Sequence, residues 1–127
     1  MRLAQKQVLF PRLLAVLIMS AESKGWELRL GEGYIDPERV REALKAILER
    51  EPTQVELREV YGHKLGGCHP LKLAQDMNLF IRGRWIKGDH PVWHEIGALW
   101  LSLHPLCRWG GDYGDYNHFS LKHGRRA

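Results

Sequence analysis

Two short segments of the chain carry side chains whose types and spacing could do chemistry. His69 stands seven residues ahead of Asp76, and Asp115 stands three residues ahead of His118, after the glycine-rich run Trp109-Gly110-Gly111-Asp112-Tyr113-Gly114. Imidazole nitrogens and carboxylate oxygens serve as metal ligands, as general acids and bases, or as partners in a hydrogen-bond network, and either pair alone is compatible with all three. Placement narrows the choice. Asp76 falls inside a strand-like run, where a carboxylate is costly unless it is paired or bound to a metal. His118 sits beside Phe119 in a short apolar strand, just after a loop able to bend back.

The elements that must hold these residues can be read from periodicity. Leu9, Leu13, Val16 and Leu17 have helical spacing, predicting an amphipathic helix that runs to about Lys24 and stops at Gly25. Trp26, Leu28 and Leu30 alternate with charged residues as in a half-buried strand, which Gly31-Glu32-Gly33 ends. Asp36 can cap a second helix with Pro37 at its first position and a stripe of Val40, Ala43, Leu44, Ile47 and Leu48. Glu51-Pro52 closes it, and Thr53 and Glu56 have the capping-box spacing of a short third helix.

Alternation returns from Leu71 to Ile81, and strand parity puts Lys72, Ala74, Asp76, Asn78 and Phe80 on one face. Arg82-Gly83 makes a hairpin turn into Arg84-Trp85-Ile86-Lys87. Asp89 can cap a helix whose stripe is Val92, Ile96, Leu99, Trp100 and Leu103, and a last short strand covers Asn117 to Leu121. The order of elements predicts an α+β domain with a small antiparallel sheet packed with helices.

The 127 residues suit one domain spanning 1–127, and 44% hydrophobic residues suffice for a core without staples. Nineteen Lys and Arg against fifteen Asp and Glu leave a net charge of +4, a mild attraction to polyanions but not the dense basic patch of a nucleic-acid binder. Cys68 and Cys107 read as free thiols. The apolar segment from Val8 to Met19 is broken by Pro11 and Arg12, lacks a small-residue cleavage site, and reads as too short and too charged to span a bilayer. A cytoplasmic product without a signal peptide is the expectation. Trp85, Trp93 and Trp100 are expected in the core, and His63, His90, His94, His104 and His123 as exposed or satisfied partners. The basic tail Lys122-His123-Gly124-Arg125-Arg126 reads as a solvated end.

Taken together, His69-Pro-Leu-Lys-Leu-Ala-Gln-Asp76 and Trp109-Gly-Gly-Asp-Tyr-Gly-Asp115-Tyr-Asn-His118-Phe-Ser resemble the zinc peptidases that cut peptidoglycan stem peptides. These are the D-alanyl-D-alanine carboxypeptidase and L-alanyl-D-glutamate endopeptidase family, especially the short forms used as bacteriophage endolysins. The likeness covers about Trp26 to Leu121 and implies a hedgehog/DD-peptidase-like fold with the zinc site on the sheet. It implies that His69, Asp76 and His118 bind Zn2+ and that Asp115 is the general base and then the general acid. Two imidazoles and one carboxylate are in any case a donor set suited to zinc with one position open for water. Trp109 and Tyr113 are candidates for lining the substrate cleft, with Tyr116 similar.

Three positions depart from the family pattern: Gly67 stands where a Ser is usual, Lys72 where a Gly is usual, and Ile35 where an Arg would bind the developing oxyanion. Parity with Asp76 makes Lys72 the first candidate to replace that Arg, with Arg39 and Arg41 behind it. The resemblance implies an endopeptidase acting on the stem peptide in the periplasmic wall of a lysing host; an enzyme of this size can work as a monomer, and neither a transmembrane segment nor a nucleic-acid partner is expected. The alternatives are a carboxypeptidase or dipeptidase with the same centre, or a small basic binding module with an inactive His/Asp set.

Overall fold

The computed structural model describes residues 1–61 and 67–127, so His63 lies outside the described residues. The chain is α+β, with a small antiparallel sheet packed against helices. The elements are α1 (Leu3–Ser23), β1 (Trp26–Leu30), α2 (Pro37–Leu48), α3 (Gln54–Tyr61), β2 (Ala74–Ile81), β3 (Arg84–Ile86), α4 (Pro91–Leu103), β4 (Cys107–Trp109) and β5 (His118–Leu121). Short 3-10 turns cover His69–Leu71 and Gly110–Tyr113.

The five strands are ordered β1-β2-β5-β4, with β3 also paired to β2, and every pairing is antiparallel. Directly paired residues share a face of a sheet. Leu28, Met77, Leu79, Phe119, Leu121 and Cys107 therefore face one way, where they meet Phe10, Leu14, Leu17 and Ala21 of α1 and Trp93, Ile96 and Trp100 of α4 in one apolar core. The other face carries Arg29, Asp76, Asn78, Phe80, Trp85, His118, Ser120 and Arg108. A smaller apolar cluster of Ile35, Val40, Leu44 and Leu57 joins α2 to α3.

Several expectations change in the tertiary structure. α1 starts at Leu3 and passes unbroken through Pro11, so at 21 residues it is long and apolar enough to cross a membrane by length and composition. Its inner face packs on the sheet, as a core helix does. β2 starts at Ala74, not Leu71, because the chain first turns through His69–Leu71. Trp85 is 49% exposed rather than buried: its pairing with Phe80 turns it to the outer face, where the two rings stack. The cap of α4 is His90, whose Nδ1 accepts from the Val92 amide, while Asp89 accepts from His94 Nε2 at 2.7 Å. β4 is an additional strand of three residues, too short to show a period.

Other local signals translate directly. Asp36 Oδ1 caps α2 through the Glu38 amide, and Thr53 and Glu56 exchange both capping-box bonds. Arg82 (φ 52°) and Gly83 (φ 77°) form the two-residue hairpin turn between β2 and β3. Cys68 and Cys107 are both free and buried, and burial pushes both thiols up, that of Cys107 to about 11.

The basic tail is exposed at Lys122, Gly124, Arg125 and Arg126, as expected of a solvated end, but it is anchored. The Nζ of Lys6, itself buried, donates to the Lys122 carbonyl and reaches His123 Nδ1 at 3.1 Å. His123 and Arg126 then close a turn with two backbone hydrogen bonds of 3.0 Å.

Candidate metal centre

Three separate pieces of backbone bring His69, Asp76 and His118 together. Asp76 and His118 are opposite each other in the β2–β5 ladder, which places both side chains on the outer face. The segment following β1 runs beside Asp76: its amide donates to the Glu32 carbonyl and its carbonyl accepts from the Gly31 amide, both at 2.7 Å. The 3-10 turn delivers His69 from just before the start of β2, and its Nδ1 lies 2.6 Å from the Gly33 carbonyl. All three side chains are buried, at 1%, 6% and 8% exposure.

The donor atoms form a nearly equilateral triangle. His69 Nε2 is 3.2 Å from His118 Nδ1, and Asp76 Oδ1 is 3.3 Å from each of them. A tetrahedral ion with bonds of about 2.0–2.1 Å separates its donors by about 3.3–3.4 Å, so these residues are spaced to share one ion. The His69 tautomer agrees. A carbonyl oxygen only accepts, so Nδ1 carries the proton and Nε2 is the nitrogen turned toward the Asp76 carboxylate and the His118 ring. This buried group could therefore hold a metal ion.

Asp115 is placed by the glycine-rich turn. Its amide donates to the Gly110 carbonyl at 2.9 Å, and its own carbonyl accepts from the His118 amide at 3.2 Å, which ties it to a member of the triangle. Asp115 lines two recesses, one of about 540 Å3 shared with His118, Trp109 and Tyr113, the other of about 240 Å3 shared with Asn78, Trp85 and Lys87. It thus stands where the two meet. Gly110 leaves no room for a side chain: a Cβ there would lie 2.5 Å from the Asp115 carbonyl oxygen and 2.9 Å from His118 Cβ. Gly110→Ala is expected to displace Asp115 and His118 together, lowering metal affinity by about 10-fold or more. Metal titration against the parent checks it.

The remaining candidates divide. Trp109 and Tyr113 both line the larger recess, but the Trp109 indole is wedged between Gly97 of α4 and Gly111, and its Nε1 donates to the Tyr116 carbonyl at 2.7 Å. Tyr113 is 80% exposed at the rim. Lys72 is not on the strand face with Asp76, because it ends the 3-10 turn at φ 60°, before β2 starts, and its Nζ lies over the Tyr34 ring. The parity that paired it with Asp76 therefore does not apply. Arg39 and Arg41 form ion pairs with Asp36 and Glu38 on α2, and Ile35 belongs to the small apolar cluster.

Sequence reasoning did not find Gly33, whose contribution is a backbone carbonyl that leaves no signature of residue type. Nor did it find the close approach at Gly110, although the doublet Gly110-Gly111 was a signal that backbone might need to come near something. A scan of the chain against protein-family models finds no match, and a search of the curated proteins finds no similar protein.

Proposed function

We propose that the chain is a zinc-dependent peptidase that hydrolyses an amide bond in the peptide stem of peptidoglycan, of the L-alanyl-D-glutamate endopeptidase type, acting as a phage endolysin on the host cell wall. The observation that carries this reading is the tetrahedrally spaced His69/Asp76/His118 triangle with a second carboxylate, Asp115, on the adjoining cleft. The hedgehog-like fold belongs to the same reading. Two imidazoles disfavour calcium and magnesium, which prefer all-oxygen sites, and zinc accepts this mixed set.

Zinc bound by His69, Asp76 and His118 would supply a water acidified towards neutral pH and would polarise the scissile carbonyl. Asp115 takes the proton of the attacking water on its carboxylate; as the C–N bond breaks, it returns that proton to the leaving amine. Gly33 fixes the His69 ring so that Nε2 faces the centre. Asn78, Trp85 and Lys87 border one side of Asp115 and Tyr113 the other, so an extended peptide can pass across it.

Lys72 remains the proposed cation for the developing oxyanion, as the basic residue that ends the 3-10 turn beginning at His69. Lys72 holds a left-handed conformation as the cap of that turn, as Glu49 does at the end of α2, and this costs a non-glycine residue about 1–2 kcal/mol. Lys72→Gly is expected to raise stability by about 1 kcal/mol in denaturant unfolding. The same variant should lower hydrolysis about 10-fold; full activity would remove Lys72 from the reaction.

Incubation of the purified protein with Gram-negative sacculi, followed by mass spectrometry of the released fragments, tests the proposal and identifies the bond from the new termini. Protein that holds no stoichiometric zinc and releases nothing overturns it. A non-catalytic binding module is the second reading, favoured by the apolar burial of Ile35 where the family pattern has an Arg; it predicts sacculus binding without release. Release of a single terminal D-alanine would point instead to the carboxypeptidase alternative.

A further inference from the structure

The recess beside the metal centre has a second chemical character. Arg108 of β4 is paired with Ser120 of β5, and Ser120 shares its face with His118, two residues along the same strand. That spacing is about 7 Å, or two residues of an extended peptide. Ser120 is fully buried and lines the recess, and its Oγ has no hydrogen-bond partner among the described residues. A buried hydroxyl left unpaired is costly, so one facing a cleft is a place where a ligand completes the bonding.

The charge around it is positive. Arg108, Arg125 and Arg126 all line this recess, and none of them makes an ion pair among the described residues. Arg108 is held in place, its Nη1 donating to the Pro105 and Cys107 carbonyls at 2.9 and 2.8 Å. A guanidinium has five N–H donors, so the fork is positioned with donors to spare. Arg125 and Arg126 are carried there by the His123–Arg126 turn, which buried Lys6 anchors to α1. Among the described residues that line the recess Asp115 is the one side-chain acid, and Ala127 lines it too with its main-chain carboxylate.

We propose that Arg108, Ser120 and the Arg125-Arg126 turn form a carboxylate-binding subsite, so that the preferred substrate is a peptide bearing a free carboxylate about two residues from the bond cut. The location of that bond rests on the peptidase reading; the subsite itself does not. A planar carboxylate can take two N–H bonds from an Arg fork and one O–H bond from Ser120, whereas a carboxamide presents an NH2 group to donors.

The experiment is an NMR titration of the zinc-supplemented protein with N-acetylalanine and, separately, N-acetylalaninamide, following the Arg108 and Ser120 signals. The acid is expected to bind about 10-fold more tightly than the amide. Arg108→Gln and Ser120→Ala should each bring that ratio to about one, and the exposed Arg125→Gln should lower it in a protein whose fold is not at risk. A ratio near one in the parent, or a ratio unchanged in all three variants because the metal alone takes the acid, overturns the subsite. Sacculus digestion in parallel separates the two readings. Digestion without acid preference sinks the subsite only; acid preference that depends on these residues without digestion sinks the peptidase only.

Discussion

Replacing Asp115 by Asn is expected to lower peptidoglycan hydrolysis by about 10²- to 10⁴-fold, the usual contribution of a positioned general base and acid. Zinc content and melting temperature should remain those of the parent. The separation is expected because the backbone of Asp115, not its carboxylate, makes the bonds to Gly110 and His118. Asn has the same shape and keeps those bonds, but it cannot accept the water's proton. Turnover on sacculi, measured beside metal content, checks both halves. A variant that digests at the parental rate would leave Asp115 as a turn residue and remove the proton-transfer role from the proposal.

The second large effect is expected from the metal itself. Zinc at 100 times its dissociation constant should stabilise the parent by about 2.7 kcal/mol, because it binds the folded triangle and not the dispersed ligands of the unfolded chain. For a chain of this size that is a rise of roughly 10 °C in melting temperature. His118→Ala should abolish the rise and the hydrolysis together. Asp76→Asn should do the same with less change in packing, since it replaces the one anionic donor at nearly constant volume. Thermal melts with zinc and with a chelator give the comparison. A melting temperature indifferent to zinc would leave the triangle as a hydrogen-bonded network in which a proton supplies the positive charge between His69 and Asp76.

How much of this was legible beforehand depends on the range over which each residue acts. Most caps and turns act within four residues and could be read, Asp36, Thr53 with Glu56, and Arg82-Gly83 behaving as their local chemistry requires, whereas at α4 His90 caps in place of Asp89. The α+β class followed from the order of periodic segments. The face of Lys72 could not be read, because the parity rule holds only within one strand and the 3-10 turn resets it before Ala74. Trp85 was misplaced for a related reason. Its hydrophobicity argues for burial, but pairing with Phe80 on a three-residue edge strand turns it outward. The tail is exposed at Lys122, Gly124, Arg125 and Arg126 as expected, but its anchoring could not be read, because Lys6 lies at the opposite end of the sequence.

The sequence by itself determined which donors exist: two imidazoles and two carboxylates, in two segments whose spacing resembles that of zinc peptidases, with Asp76 in a strand where it needs a partner. Tertiary structure alone decided that His69, Asp76 and His118 lie within 3.2–3.3 Å of one another, because that distance follows from the β2–β5 register and from where the His69–Leu71 turn ends. It also decided which nitrogen of His69 faces the centre, through the Gly33 carbonyl, and that Ser120 lies buried among arginines from β4 and the tail. Donor identity is a property of single residues. Donor geometry is a property of pairings between residues far apart in the chain, and only folding fixes those.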